Sequence, residues 1–173
     1  SLESWIPSAF LKIAVPVGIS YYLFKVLSYV IDVYWEKIPA EKDFISFAAY
    51  VAFFPQILSG PIQRAGSFLP QVRDPAPVAY ETMLSGMRLL LFGFFKKLVI
   101  ADRLAIFVDG VFGNPEAFNS LTLILGCYAY VFQLYADFSG LTDIARGSAK
   151  LMGIESPKNF DLPFFAPNIQ IYW

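Results

Sequence analysis

The 173-residue sequence contains no histidine, a single cysteine and few charges, with Asp, Glu, Lys and Arg together making up 16% of the chain. Each shortage excludes something. Without histidine, these residues lack the side chain most often used as a general base near neutral pH, and the commonest metal ligand. With Cys127 alone there is no internal disulfide and no thiolate cluster. There is no Gly-x-Ser-x-Gly elbow, no P-loop and no spacing of metal ligands, so zinc or haem chemistry within these residues is excluded. A net charge of −1, from 13 basic and 14 acidic side chains, argues against nucleic acid as a partner. The first residues, SLESWIPSAF, carry no initiator Met, no basic n-region and no small-residue cleavage site, so the expectation is an internal stretch of a longer protein that lacks both ends.

What the chain does hold is apolar surface. Hydrophobic residues make up 57% and aromatic residues 18%, with a mean hydropathy of +0.54. Soluble domains carry about 25% charge, and a single interior of this size could not hide so much apolar area. Lipid as the apolar solvent resolves the mismatch. Two windows are charge-free and long enough to cross a bilayer, Phe44–Gln63 and Ala117–Ala136. A third, Ile13–Trp35, contains Asp32 near one end and Lys25 at its centre, which must snorkel or face protein. Met83–Phe112 is broken by Lys96, Lys97, Asp102 and Arg103 and reads as two shorter pieces meeting near an interface. Asp137–Ile154 is amphipathic, and the tail to Trp173 is rich in proline and aromatics. Pro16 and Gly18 interrupt the first span, and Pro55, Gly60 and Pro61 the second, which suggests helices broken inside a packed bundle. The expected fold is therefore all-α, a polytopic transmembrane bundle with about 4–5 membrane helices plus interfacial or re-entrant pieces. The clustering of Lys and Arg puts 64–97 and the segment after Asp137 on the cytoplasmic side, with 113–116 outside.

Polar groups at bilayer depth are costly, so each is a candidate functional residue. The richest set lies in YVFQLYADFSGLTDIARG, residues 130–147. On a helix, Tyr130, Gln133 and Asp137 share one face, while Ser139, Asp143 and Arg146 form a second stripe on which Asp143 and Arg146 can pair. Ala136 and Gly140 would let another helix approach closely. These stripes could line a path for a polar substrate, or serve as interhelical hydrogen bonds and an exposed helix end. Asp137 and Asp143 point about 120° apart and are not a paired-carboxylate site. A second set, Gln56, Ser59, Gln63 and Arg64, could hold an anionic or acyl-phosphopantetheine-like donor, or mark an ordinary helix exit.

Five phrases, in order, resemble one family. They are VPVGISYYLFKVLSYVIDVYW (15–35), FFPQILSGPIQRAGSFLPQ (53–71), FGFFKKLVIADRLA (92–105), YAYVFQLYADFSGLTDIARGSAKLMGI (128–154) and NFDLPFFAPNIQIYW (159–173). Together they resemble the membrane-bound O-acyltransferases, in the branch of bacterial alginate O-acetylation and teichoic-acid D-alanylation proteins. The departures are small: GLTD stands at 140–143 where Gly-Tyr-Ser-Asp is common, and IYW at 171–173 where Glu-Phe-Trp is more usual. The resemblance implies one O-acyltransferase domain of which residues 1–173 are an internal part, sited in the bacterial inner membrane as a multi-pass protein. It implies transfer of an acyl group, acetyl in this branch, to a hydroxyl of an exported polysaccharide or cell-envelope glycan. The implied donor is acetyl-CoA or an acyl-carrier thioester, with no permanently bound cofactor and no metal. Partners would be the bilayer, the donor, the glycan and other envelope-acetylation proteins. The family's essential histidine is expected just beyond Trp173, so these residues alone would be inactive. Tyr130, Gln133, Asp137, Ser139, Asp143, Asn159 and Trp173 become candidate chamber residues, and Gln56, Gln63 and Arg64 candidate donor-side residues. A membrane transporter or channel, or a non-catalytic assembly component, is the alternative that composition alone leaves open.

Overall fold

A computed structural model describes residues 18–57, 60–159, 164 and 166–168. Among them every regular element is helical, as expected. Helix α1 (Ile19–Tyr34) is followed by α2 (Phe44–Val51), a 3₁₀ turn (Phe54–Gln56) and α3 (Ala65–Arg73). Helix α4 (Tyr80–Phe94) leads through a π-helical segment (Phe95–Ala101) into α5 (Asp102–Gly113), and α6 (Ser120–Leu151) closes the described helices.

Two packing units result. In the first, α1, α2 and α3 gather around Tyr50, Phe53, Phe68 and Leu69, with Ala149 and Ile154 joining from α6 and the chain beyond it. Aromatic edges and faces fill this core: Phe53 meets Phe68 at 4.9 Å and Tyr50 meets Phe68 at 5.5 Å between centroids. In the second, α4, the π segment and α5 run along α6. The contact is set by glycines. Gly86 sits against Gly147 and Gly93 against Gly140, so the helices are antiparallel, and a Cβ added at Gly93 would lie 2.7 Å from the Gly140 carbonyl oxygen. Backbones this close require small residues on both sides.

The helix boundaries follow from local chemistry. Helix α1 starts at Gly18, whose φ of +81° places it in the left-handed region and whose absent Cβ makes room for Ile57. Asp43 caps α2 by accepting from the Ile45 and Ser46 backbone amides. The Ser46 hydroxyl, followed by those amides, holds the Asp43 carboxyl below the usual carboxylate range. Asn119 caps α6 in the same way through the Thr122 amide.

Several expectations change. The Phe44–Gln63 window is not one spanning helix: α2 ends at Val51, and Pro55 and Pro61 cannot continue its hydrogen-bond ladder. Its position 59, like Pro16, lies outside the described residues, as does the start of the Ile13–Trp35 window. The Ala117–Ala136 window and the amphipathic stretch after it are one 32-residue helix, because no breaker separates Ser120 from Leu151. The two pieces of 83–112 do exist, yet they join through the π segment without leaving the helix.

Among the described residues one helix, α6, is long and apolar enough to cross a membrane. At 1.5 Å per residue it is about 48 Å long, against a hydrocarbon core of about 30 Å. Its two halves differ accordingly. The first exposes Leu121, Ile124, Leu125, Tyr128, Val131 and Phe132, while the second buries Ala136, Gly140, Ala145, Gly147 and Ala149 against protein.

Candidate functional site

The polar half of α6 faces the π segment, and the two share their charges. Lys96 Nζ lies 2.6 Å from Asp143 Oδ2, and Lys97 Nζ lies 2.6 Å from Asp137 Oδ1 and 3.0 Å from Asp102 Oδ1. Successive residues on an α-helix diverge by about 100°, so neighbouring lysines ordinarily serve different faces. Here the wider π turn sits directly on Gly140, where an added Cβ would come within 3.1 Å of both Lys96 Cβ and the Lys97 amide nitrogen. The two stems then splay in opposite directions along α6 and reach carboxylates six residues apart. Local departures of this kind from the α-helix occur disproportionately at functional sites.

Beside the Lys96–Asp143 pair lies a cavity of about 300 Å³. Leu89, Phe92 and Tyr135 supply its apolar wall. Its polar lining includes Lys96, Ser139, Asp143, Arg146, Lys158 and Asn159. Asp143 also pairs with Arg146, but at 3.8 Å, too long for a hydrogen bond. Two buried polar atoms at this wall have no hydrogen-bond partner among the described residues, Ser139 Oγ and Arg146 Nε. Such atoms are rare in folded proteins and each calls for a cause.

The structure thus brings Ser139, Asp143, Arg146 and Asn159 together around one cavity. It places the Tyr130, Gln133 and Asp137 stripe elsewhere on α6. Tyr130 meets Phe112 edge-on at 6.2 Å, Asp137 is held by Lys97, and Gln133 Oε1 is buried without a partner. Asp137 and Asp143 bind different lysines, in keeping with their divergence on the helix. Trp173 lies outside the described residues.

Gln56, Gln63 and Arg64 belong to a different cluster. Gln56 and Gln63 are each 1% exposed. Gln56 Nε2 donates to Gln63 Oε1 at 2.9 Å and to Ser156 Oγ at 3.2 Å, and Gln63 Nε2 donates to the Glu155 carbonyl at 3.0 Å. Lys25 anchors the cluster, donating to the Tyr50 carbonyl at 2.6 Å and to Gln56 Oε1 at 3.0 Å. Arg64 is exposed and pairs with the buried Asp32 at 3.2 Å. The two glutamines therefore spend their amides on holding the broken stretch 52–63 against α1 and the chain after α6. Sequence reasoning placed Lys25 against protein without finding these partners, because they lie 25 and 31 residues away.

Lys96 and Lys97 were legible only as breaks in an apolar run. Their role depends on the π turn, and no residue pattern in FFKKLVIA announces a π turn.

Comparison with known proteins gives a consistent result. A family model described as MBOAT, membrane-bound O-acyltransferase family, matches residues 37–173. A protein named probable alginate O-acetylase in Pseudomonas putida is 37% identical over 169 residues, covering 96% of this chain and 34% of its own length. The peptidoglycan O-acetyltransferase of Helicobacter pylori is 37% identical over 134 residues, covering 76% of this chain and 25% of its own length. The teichoic acid D-alanyltransferase of Bacillus subtilis is 30% identical over 161 residues, covering 91% of this chain and 40% of its own length. The chain spans about a third of the length of the alginate relatives it matches.

Proposed function

The chain belongs to the membrane-bound O-acyltransferase family, and on that premise we propose that its protein transfers an acyl group, acetyl by preference, to a hydroxyl of an exported polysaccharide or cell-envelope glycan. The donor is a thioester, acetyl-CoA or an acyl carrier, and the protein sits in a bacterial inner membrane as a multi-pass bundle. The observation that carries this reading is the similarity to two O-acetyl-transferring relatives at 37% identity, one of them across 96% of this chain. The many large apolar side chains left exposed on α1, α4, α5 and α6 support a lipid environment or further helices around them. A transporter, a channel or a non-catalytic subunit finds no support in the family match.

The mechanism needs a general base, and none of these 173 residues is a histidine. We place that base in the full-length protein outside residues 1–173, next to the chamber wall formed by the polar half of α6. The 173 residues reconstituted alone in vesicles are expected to show no acyl transfer above the uncatalysed background. Turnover there would refute the missing-base argument.

Asp137 is proposed as a positioning residue for that base, held in place through Lys97. In the full-length protein, Asp137→Ala is expected to lower kcat by about tenfold or more with the donor KM unchanged, and to shift the pH–rate profile. Normal insertion together with undiminished acetylation would remove the assignment.

A further inference from the structure

Helix α1 carries an apolar stripe that the described residues leave bare. Leu23, Leu27, Val30 and Tyr34 follow one another on one face at spacings of four, three and four, each more than half exposed. From Leu23 to Tyr34 the helix rises about 16 Å, about half of a hydrocarbon core of about 30 Å. With Leu23 at mid-depth, the stripe covers one leaflet, and Tyr34 and Trp35 arrive together at the headgroups. Tyrosine and tryptophan concentrate at that level in membrane proteins. Trp35 is 60% exposed, and Lys37 Nζ lies 4.6 Å from the centre of its ring. At the start of α2, Phe44 and Ile45 are barer still, at 79% and 76%.

Charge adds an independent observation. The turn between α1 and α2 holds Glu36, Lys37, Glu41, Lys42 and Asp43. Two of its carboxylates are committed: Glu41 to Arg73 and the Asp43 amide, and Asp43 to the Ile45 and Ser46 amides. Lys37 and Lys42 form no ion pair among the described residues, which leaves two ammonium groups against Glu36. Lys42 also lines a cavity of about 270 Å³, together with Tyr29, Glu41, Phe44 and Phe47. With the Glu41 carboxylate taken by Arg73, the charge this cavity offers a ligand is positive, and its remaining walls are aromatic.

We propose that the α1–α2 corner binds the phosphate of an anionic phospholipid through Lys42, with Lys37 beside it, while Phe44 and Ile45 enter the upper acyl region and fix the depth of α1. This rests on the membrane residence proposed above and not on acyl transfer. Phosphatidylcholine carries the same phosphate, but its choline cancels the charge that the two lysines read. The corner therefore selects a lipid of net negative charge.

The test uses the full-length protein in detergent, titrated with phosphatidylglycerol or phosphatidylcholine of identical acyl chains and read by native mass spectrometry. A lysine near an anionic surface is worth about fivefold in affinity. Lys37→Gln combined with Lys42→Gln should therefore reduce the phosphatidylglycerol preference of one bound lipid by about tenfold or more, and leave phosphatidylcholine binding alone. Neither lysine holds a protein carboxylate, so the lipid-free thermal midpoint should not move, which separates binding from folding. Phe44→Ser combined with Ile45→Ser should weaken both lipids alike. Arg88→Gln, which removes an exposed charge from α4, should change neither. An unchanged preference in the lysine pair would overturn the inference. So would full competition by sn-glycerol 3-phosphate at equal concentration, which would make the corner a site for a soluble phosphate. An alkaline carbonate wash of membranes from the same cells keeps the two readings apart. Protein that is retained but indifferent to the lysine changes keeps the membrane reading and loses the site. Protein that is washed off yet selective for phosphatidylglycerol keeps the site and loses the membrane reading.

Discussion

Alanine at Gly93 and alanine at Gly110 are expected to move the stability of the full-length protein in opposite directions. Both glycines are helical, and on propensity alone each replacement should gain about 0.5–1 kcal/mol. Gly110 on α5 has nothing among the described residues within 4 Å of an added Cβ, so it should show that gain. Gly93 does not have the space. Its Cβ would fall 2.7 Å from the Gly140 carbonyl oxygen and 2.8 Å from the Ile144 amide nitrogen, both backbone atoms that cannot rotate away. Helix α4 must then back off along its whole contact with α6, separating Gly86 from Gly147 as well. Overpacking costs about 1–3 kcal/mol, and the lost close contacts along two helical turns push this case to the upper end. The thermal midpoint in detergent should fall for Gly93→Ala and fall further for Gly93→Leu. It should hold or rise for Gly110→Ala. Two rises of equal size would mean that the helices do not pack on their glycines. Because Gly140 also seats the π turn, the damage should extend to the Lys96–Asp143 and Lys97–Asp137 pairs and so to the cavity.

That chain of consequences shows what the residues disclosed and what they hid. The Ala136–Gly140 pair announced a close helix contact, and Gly140 is where it occurs. The partner was not legible, since Gly86 and Gly93 lie about 50 residues upstream in a run that looked merely apolar. The Asp143–Arg146 pairing was legible from i, i+3 spacing and is present, though at 3.8 Å. Lys96, reaching across from the facing helical segment, takes the closer place at 2.6 Å. Apolar length proved the poorer guide. Phe44–Gln63 satisfies every compositional test for a span, yet proline geometry breaks it after Val51. Ser120–Leu151 continues far past its apolar window, because Gly140 and Gly147 sit where a helix on one side shields them. Composition records which solvent a segment tolerates; where it bends depends on backbone partners that lie elsewhere in the chain.

Lys25 is the residue on which that break depends. Helix α2 stops at Val51, so the carbonyl of Tyr50 belongs to the last turn and has lost its helical donor. Left bare in an apolar setting it would cost several kcal/mol. Lys25 Nζ fills the vacancy at 2.6 Å, places its charge at the negative end of the α2 dipole, and lies over the Tyr50 ring at 4.6 Å. The same ammonium donates to Gln56 Oε1, which orients the amide so that its NH₂ reaches Gln63 and Ser156. One cation thus closes a helix end and sets the direction of the entire buried relay. Lys25→Met keeps the length of the stem and deletes every donor. Removing a desolvated charge returns some free energy. Against that stand two lost charge-assisted bonds, about 1.5–3 kcal/mol each, and two acceptors with no replacement. The loss wins, and a net destabilisation of about 2–4 kcal/mol is expected. It should be read as a lower thermal midpoint and as new protease cleavage confined to residues 52–64. Adding Gln56→Leu removes one stranded acceptor and should restore part of the loss. An unchanged midpoint with residues 52–64 still protected would mean that the broken segment is held by its aromatic packing alone. Lys25 would then be a passenger in the core rather than its fastening.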